Sequence, residues 1–114
     1  MKVTTIGGAM IDTIAIIDSS RIERMSMLNA DTSFLLLAEG QKTEAEEIST
    51  HCGGGAINTA AALARLGHDV STVVKLGRDQ RAETVLARLM QEGVSTRWVM
   101  RDQRATTGAS VCRR

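Results

Sequence analysis

Three consecutive glycines, Gly53, Gly54 and Gly55, stand directly before an alanine-rich stretch in the run Cys52-Gly-Gly-Gly-Ala-Ile-Asn58-Thr59-Ala60. Backbone without side chains lets a ligand approach closely. It also bares N–H groups at a helix start, where they and the helix dipole attract anions or polar oxygens. Asn58, in the first turn, can both donate and accept a hydrogen bond, which suits a hydroxylated ligand. A tight loop-to-helix junction accounts for the same composition. The run is not a Walker A loop, because no Gly-Lys-Ser or Gly-Lys-Thr follows it. Gly7-Gly8 opens no dinucleotide fingerprint either, since no G-x-G-x-x-G leads into a helix there.

Asp12 lies just beyond an apolar run and its glycine turn. An acid at the C-terminal end of a core strand can bind hydroxyls at the mouth of an open α/β sheet, and a plain turn aspartate fits equally well. His51 and Cys52 are adjacent, but with His68 and Cys112 as the other His and Cys residues no metal-ligand spacing emerges. The same scarcity argues against a Cys–His nucleophile. Asp79 reads as a helix cap. Arg97, Arg101, Arg104, Arg113 and Arg114 face a single acid, Asp102, in the last stretch. They suit either a phosphate or an ordinary solvated strand surface.

The elements that must position these groups follow from glycine punctuation and periodicity. Val3 to Ile6, closed by Gly7-Gly8, predicts a first core strand, and Ile14 to Ile17 a second apolar run. Residues 21–33 give no firm pattern. Phe34 to Ala38 predicts a strand, Glu39 to Lys42 a turn, and Thr43 to Thr50 the second arm of a hairpin, with a helix over 43–48 as the alternative. Residues 56–66 predict the clearest helix, with Gly67 as its left-handed cap. Val70 to Leu76 reads as one strand. A second helix follows Asp79, with Ala82, Val85, Leu86, Leu89 and Met90 on one side and Gly93 at its end. The chain then returns through Trp98-Val99-Met100, turns at Asp102-Gln103-Arg104 and closes on a strand from Thr107 to Arg114. Strands alternating with helices imply a parallel α/β sheet. We assign residues 1–11 and 52–95 to the core portion, and 12–51 and 96–114 mainly to lid strands and connections.

Composition excludes several classes. The 114 residues carry 14 basic and 13 acidic groups, a net charge of +1. That balance gives no electrostatic reason to expect nucleic acid or an anionic membrane as partner. Aromatic residues are 2% of the chain, Phe34 and Trp98, too few for a base-stacking platform. No apolar run approaches the roughly 18 residues of a membrane helix. The opening Met-Lys-Val-Thr-Thr-Ile lacks the apolar region and cleavage site of a signal peptide. Two cysteines make no disulfide framework. The expected location is cytoplasmic.

The run Gly53-Gly-Gly-Ala-Ile-Asn58-Thr-Ala60, followed by Ala64-Arg-Leu-Gly67, resembles the N-terminal signature of the ribokinase-like, or PfkB, carbohydrate kinases. The resemblance continues through Val74-Lys-Leu-Gly77-Arg-Asp79, Leu89-Met-Gln-Glu-Gly-Val94 and Thr107-Gly108. Asp12 matches the early aspartate of the family. The resemblance implies the N-terminal part of a doubly wound α/β sheet with a small β-sheet lid. It further implies transfer of the ATP γ-phosphoryl, with magnesium, to a hydroxyl of a sugar or nucleoside. Asp12, Gly54 and Asn58 would hold acceptor hydroxyls, with Gly53 and Gly55 allowing close approach. Ribose, fructose, a keto-sugar acid and a nucleoside are all open as acceptors. The family's second signature, an Asp-Thr-x-Gly-Ala-Gly-Asp type run that supplies the base and anion hole, does not occur here. This stretch is therefore expected to contain no catalytic residue and no ATP or magnesium site, and to be inactive alone. Homodimers through lid strands or an exposed core edge are an implied contact. Ala82, where a glycine is usual, and the some forty residues between Asp12 and Gly53 depart from the family pattern. A non-catalytic sugar-binding or regulatory α/β module is the alternative.

Overall fold

The computed structural model describes residues 1–18, 22–28, 30–35 and 37–113. The chain runs β1 (Lys2–Ile6), β2 (Met10–Ile16), β3 (Ile22–Met27), β4 (Ala30–Leu35), β5 (Glu47–Gly53), α1 (Gly55–Arg65), β6 (Asp69–Val73), β7 (Lys75–Leu76), α2 (Gln80–Gln91), β8 (Met100–Arg101) and β9 (Gly108–Arg113). It divides into two units, Met1–Thr13 with Thr50–Ser110, and Ile14–Ser49 with Val111–Arg114.

The first unit holds the α/β core. β1 and β6 pair in parallel, with Thr5 opposite Thr72. β7 and β8 pair in parallel as well, and Ser71 bridges Ser95 in the same sense. Val70, Thr72 and Val74 alternate inward and are buried, the period-two pattern of a strand covered on one face. α1 lies over that face through Ala56, Ile57 and Ala60, and α2 adds Ala82, Val85 and Leu89 to the same core. The small side chains of α1 let helix and sheet approach closely. Burial of Thr5 and Thr72 is tolerated because their hydroxyls lie 2.8 Å apart and Thr5 Oγ1 donates to the Ala56 carbonyl at 3.1 Å. Arg65 and Arg88 both bind the Glu92 carboxylate, which ties the end of α1 to the end of α2.

Both helices finish in the same motif. Gly67 N–H reaches the Ala64 carbonyl and His68 N–H the Leu63 carbonyl. Gly93 and Val94 repeat the pattern on Met90 and Leu89. These are Schellman caps, with φ of +90° at Gly67 and +75° at Gly93. At the other end of α2, Asp79 Oδ1 accepts from Ala82 N–H at 2.9 Å, as its position before the helix predicts.

Several expectations are corrected. The hairpin is formed by β3 and β4, antiparallel and closing at Met27 opposite Ala30, rather than by residues 34–50. Glu39 and Gly40 do form a turn, but the chain beyond it stays irregular up to Glu46 instead of making a helix or a hairpin arm. β5 joins a three-stranded sheet of order β5-β2-β9. Val70 to Leu76 is two short strands, β6 and β7, with Val74 between them. Met90 is 71% exposed and lies off the packed side of α2. Leu36 and Arg114, which the predicted strands include, lie outside the described residues.

The second unit contains the β3–β4 hairpin. Within it Glu46 N–H donates to the Ile16 carbonyl at 2.7 Å, and Arg113 Nη2 to the Ile17 carbonyl at 3.3 Å.

Among the described residues no strand pairs with the other edge of β1. Ile6, at the end of that strand, is 77% exposed. A groove of about 430 Å³ runs beside it, lined by Val3, Ile6, Gly7, Ala56 and Thr59 among others.

Candidate functional site

Asp12 is the third residue of β2, not a turn residue beyond a strand. Its half-buried side chain is bracketed by the two neighbouring strands of the sheet. On one side is Gly53, the buried last residue of β5. A Cβ there would lie 2.8 Å from Asp12 Cγ and closer still to Oδ2, so the carboxylate occupies the space a side chain would take. On the other side Ser110 of β9 donates its hydroxyl to Asp12 Oδ1 at 2.6 Å. The two pieces of sequence that suggested a ligand site, some forty residues apart, therefore meet in space.

Gly54 is the N-cap of α1 with φ +99°, a conformation glycine adopts without strain. Its Cα faces the Gly8–Ala9 turn so closely that a Cβ would lie 2.7 Å from the Gly8 carbonyl carbon. Gly55 begins the helix, exposed and with open space where a side chain would be. Asn58 is exposed on the first turn and its N–H donates to the Gly54 carbonyl at 3.1 Å. Its amide makes no side-chain hydrogen bond to the described residues, so it is available to a ligand. Asp12, Gly53, Gly54, Gly55 and Asn58 all belong to the first unit. Together they present a fixed carboxylate, a helix start and a free amide.

In the same unit a clasp holds Thr107, the residue just before β9. Asp79 Oδ2 accepts from Thr107 N–H at 2.8 Å, Thr107 Oγ1 accepts from Gly77 N–H at 3.0 Å, and Arg81 Nη1 donates to the Thr107 carbonyl at 3.1 Å. The Thr107 and Ala82 N–H groups hold the Asp79 carboxyl below its ordinary range. The Arg104 and Ala105 N–H groups, with Lys75 at 3.2 Å, bring Asp102 down to about 2. Both groups are lowered in the folded state, so their stabilisation is present above the unfolded carboxylate value. It is lost as pH falls from about 4 toward 2. Urea unfolding across that interval is expected to show falling stability. Asp79→Asn and Asp102→Asn should each remove part of the fall, and a slope unchanged in both variants would refute the assignment.

Two of the other candidate arginines have partners of their own. Arg101 binds Glu83 at 3.0 Å and the Gly77 carbonyl at 2.9 Å, and Arg97 stacks over Trp98. Cys52 packs against the core, where burial pushes its thiol up and Arg88 only partly opposes this, so the thiolate is disfavoured at neutral pH. Among the described residues no group of three or more His, Cys, Asp or Glu is placed to hold a metal ion. Among the described residues, no helix is long and apolar enough to cross a membrane.

Comparison with known proteins decides the family. The model of the pfkB family carbohydrate kinases matches residues 2–113. The chain belongs to the pfkB family. This pfkB chain is 33% identical over 70 residues to the sugar kinase PH1459 of Pyrococcus horikoshii, covering 61% of its own length and 23% of that relative. The crystal structure of PH1459, described as an uncharacterized sugar kinase, superposes with a TM-score of 0.67 at 26% identity, over 96% of this chain and 29% of that one. PH1459 has also been solved in complex with ATP. A carbohydrate kinase from Agrobacterium tumefaciens gives 0.69 at 25% identity, over 99% and 32%. The ribokinase of Cryptococcus neoformans var. grubii serotype A, in complex with ADP, gives 0.70 at 21% identity, over 96% and 29%, a likeness of fold. The pfkB chain thus spans about a quarter to a third of the relatives it matches. Its architecture is the α/β ribokinase-like fold with small accessory strands.

Ser110, bonded to Asp12, is the member of this candidate site that sequence reasoning missed. A serine in a strand carries no signal of its partner, and its partner stands 98 positions away.

Proposed function

We propose that this chain is the acceptor-binding part of an ATP-dependent kinase that phosphorylates a hydroxyl of a sugar or sugar-like molecule. The observation that carries the reading is the meeting of Asp12 with Gly53 beside the helix start that bears Asn58. Asp12 accepts hydrogen bonds from acceptor hydroxyls, and a charged acceptor binds them more strongly than a neutral one. Asn58 donates and accepts from the first turn of α1, and Gly55 leaves the backbone open beside it. Gly53 and Gly54 keep that geometry by making room for Asp12 and Gly8. These groups orient the acceptor, and ATP supplies the phosphoryl group when bound. Positioning is a main source of rate in such transfers.

In this reading the catalytic base, the nucleotide and magnesium are held by parts of a longer protein. The open edge of β1 supports it, because parallel sheets are ordinarily covered and continued. Residues 12–51 and 96–114 supply mainly lid strands and connections, the protein works in the cytoplasm, and association through lid strands or an exposed core edge gives a homodimer. The 114 residues alone transfer no phosphoryl group.

The test is an ATP-dependent assay of the full-length protein on D-ribose, D-fructose, 2-keto-3-deoxygluconate and adenosine. Transfer to one of them is expected, with none by the segment ending at Arg114. Asn58→Ala should weaken acceptor binding by about 1–3 kcal/mol and leave ATP binding nearly intact. Acceptor affinity unchanged in calorimetry would return Asn58 to a helix-start role. Binding without transfer would favour a sugar-sensing module.

A further inference from the structure

We propose that Ser110 is a positioning residue for acceptor binding, holding the Asp12 carboxylate in its working orientation. The inference rests on the acceptor-site reading above and deepens it. Asp12 Oδ2 lies over Gly53, a residue with no side chain to direct it. Oδ1 is held by the Ser110 hydroxyl at 2.6 Å, a short bond of the kind an ionised acceptor makes. The serine proton is committed to Asp12, so the pair presents oxygen lone pairs alone toward any further partner. That suits a ligand offering hydroxyl donors.

The serine is itself placed by the core. Thr107, three residues before it, is held through its N–H by Asp79, through its hydroxyl by Gly77 and through its carbonyl by Arg81. Gly108 lies against Met10 of β2, where a Cβ would come within 3.3 Å of the Met10 Cβ. Contacts within the chain therefore seat β9 against β2, and there Ser110 meets Asp12. Without the hydroxyl, Asp12 keeps its charge but loses the contact that selects one side-chain orientation. Binding then bears the cost of ordering it.

The experiment uses the full-length protein and whichever of D-ribose, D-fructose, 2-keto-3-deoxygluconate or adenosine it phosphorylates. Ser110→Ala is expected to raise the acceptor KM roughly 10-fold or more, with the ATP KM and the kcat at saturating acceptor changed less than about 2-fold. Ser110→Thr, which keeps the hydroxyl on a side chain suited to a strand, should restore most of the affinity. In an Asp12→Asn background, Ser110→Ala should have little further effect. An acceptor KM unchanged by Ser110→Ala while Asp12→Asn impairs it overturns the inference and leaves the acceptor site standing. Equal losses in Ser110→Ala and Ser110→Thr overturn it too, since the hydroxyl would not be what matters. If Asp12→Asn leaves acceptor binding untouched, or no acceptor is bound or phosphorylated at all, the acceptor-site reading falls and the role of Ser110 falls with it.

Discussion

Gly54→Ala is expected to destabilise the protein by on the order of 3 kcal/mol or more. Two independent effects combine. The backbone at Gly54 has φ +99°, which an alanine reaches only with strain. The added Cβ would also meet backbone, 2.7 Å from the Gly8 carbonyl carbon and 2.9 Å from Ala9 Cα, and backbone cannot rotate aside as a side chain can. Relief requires the turn after β1 to part from the start of α1, opening the core beside Ala9 and Ile57. Gly55→Ala is the matched control. Its Cβ meets nothing within 4 Å and lies at the first helical position, so the change should be neutral or stabilising by up to about 1 kcal/mol. Urea denaturation of the full-length protein separates them, as a large fall in midpoint at similar slope for Gly54→Ala alone. Equal midpoints for the two variants would show that the Gly8–Gly54 approach tolerates a methyl group.

Gly53→Ala is expected to act on function far more than on stability, because what its Cβ meets is a movable side chain. The obstacle is the Asp12 carboxylate. Asp12 can swing away, but then its bond to Ser110 breaks and its charge leaves the proposed acceptor site. Loss of a charged hydrogen-bonding partner predicts a roughly 10- to 100-fold rise in acceptor KM, close to that of Asp12→Ala, with the ATP KM unaltered. The Gly53→Ala, Asp12→Ala double variant should be little worse than either single one, since both remove the same interaction. Additive losses would mean that Gly53 serves the acceptor independently of Asp12. Acceptor KM in all three variants, with melting temperature measured alongside, provides the check.

The parts of this protein that its sequence determined by itself are those whose hydrogen bonds close within a few residues. Asp79 caps α2 through Ala82, and Gly67 and Gly93 end the two helices through carbonyls three to five residues back. The order of motifs around Gly53, Asn58, Gly77 and Thr107 likewise carried the family. Strand partnership is different, because it depends on which distant backbone is free to pair. The Glu39-Gly40 turn looked like the hairpin, yet the paired strands are β3 and β4, whose connection carries no glycine signal, and β5 pairs instead within the sheet centred on β2. The same distance hid the working details of the site. Asp12 could be read as an acid near a strand end, but its place inside β2, its fit over Gly53 and its bond to Ser110 come from three strands far apart in sequence. A carboxylate's neighbours across a sheet are set by register. Register is decided when long-range pairing and the burial of one face are satisfied together, which no local pattern around Asp12 or Ser110 encodes.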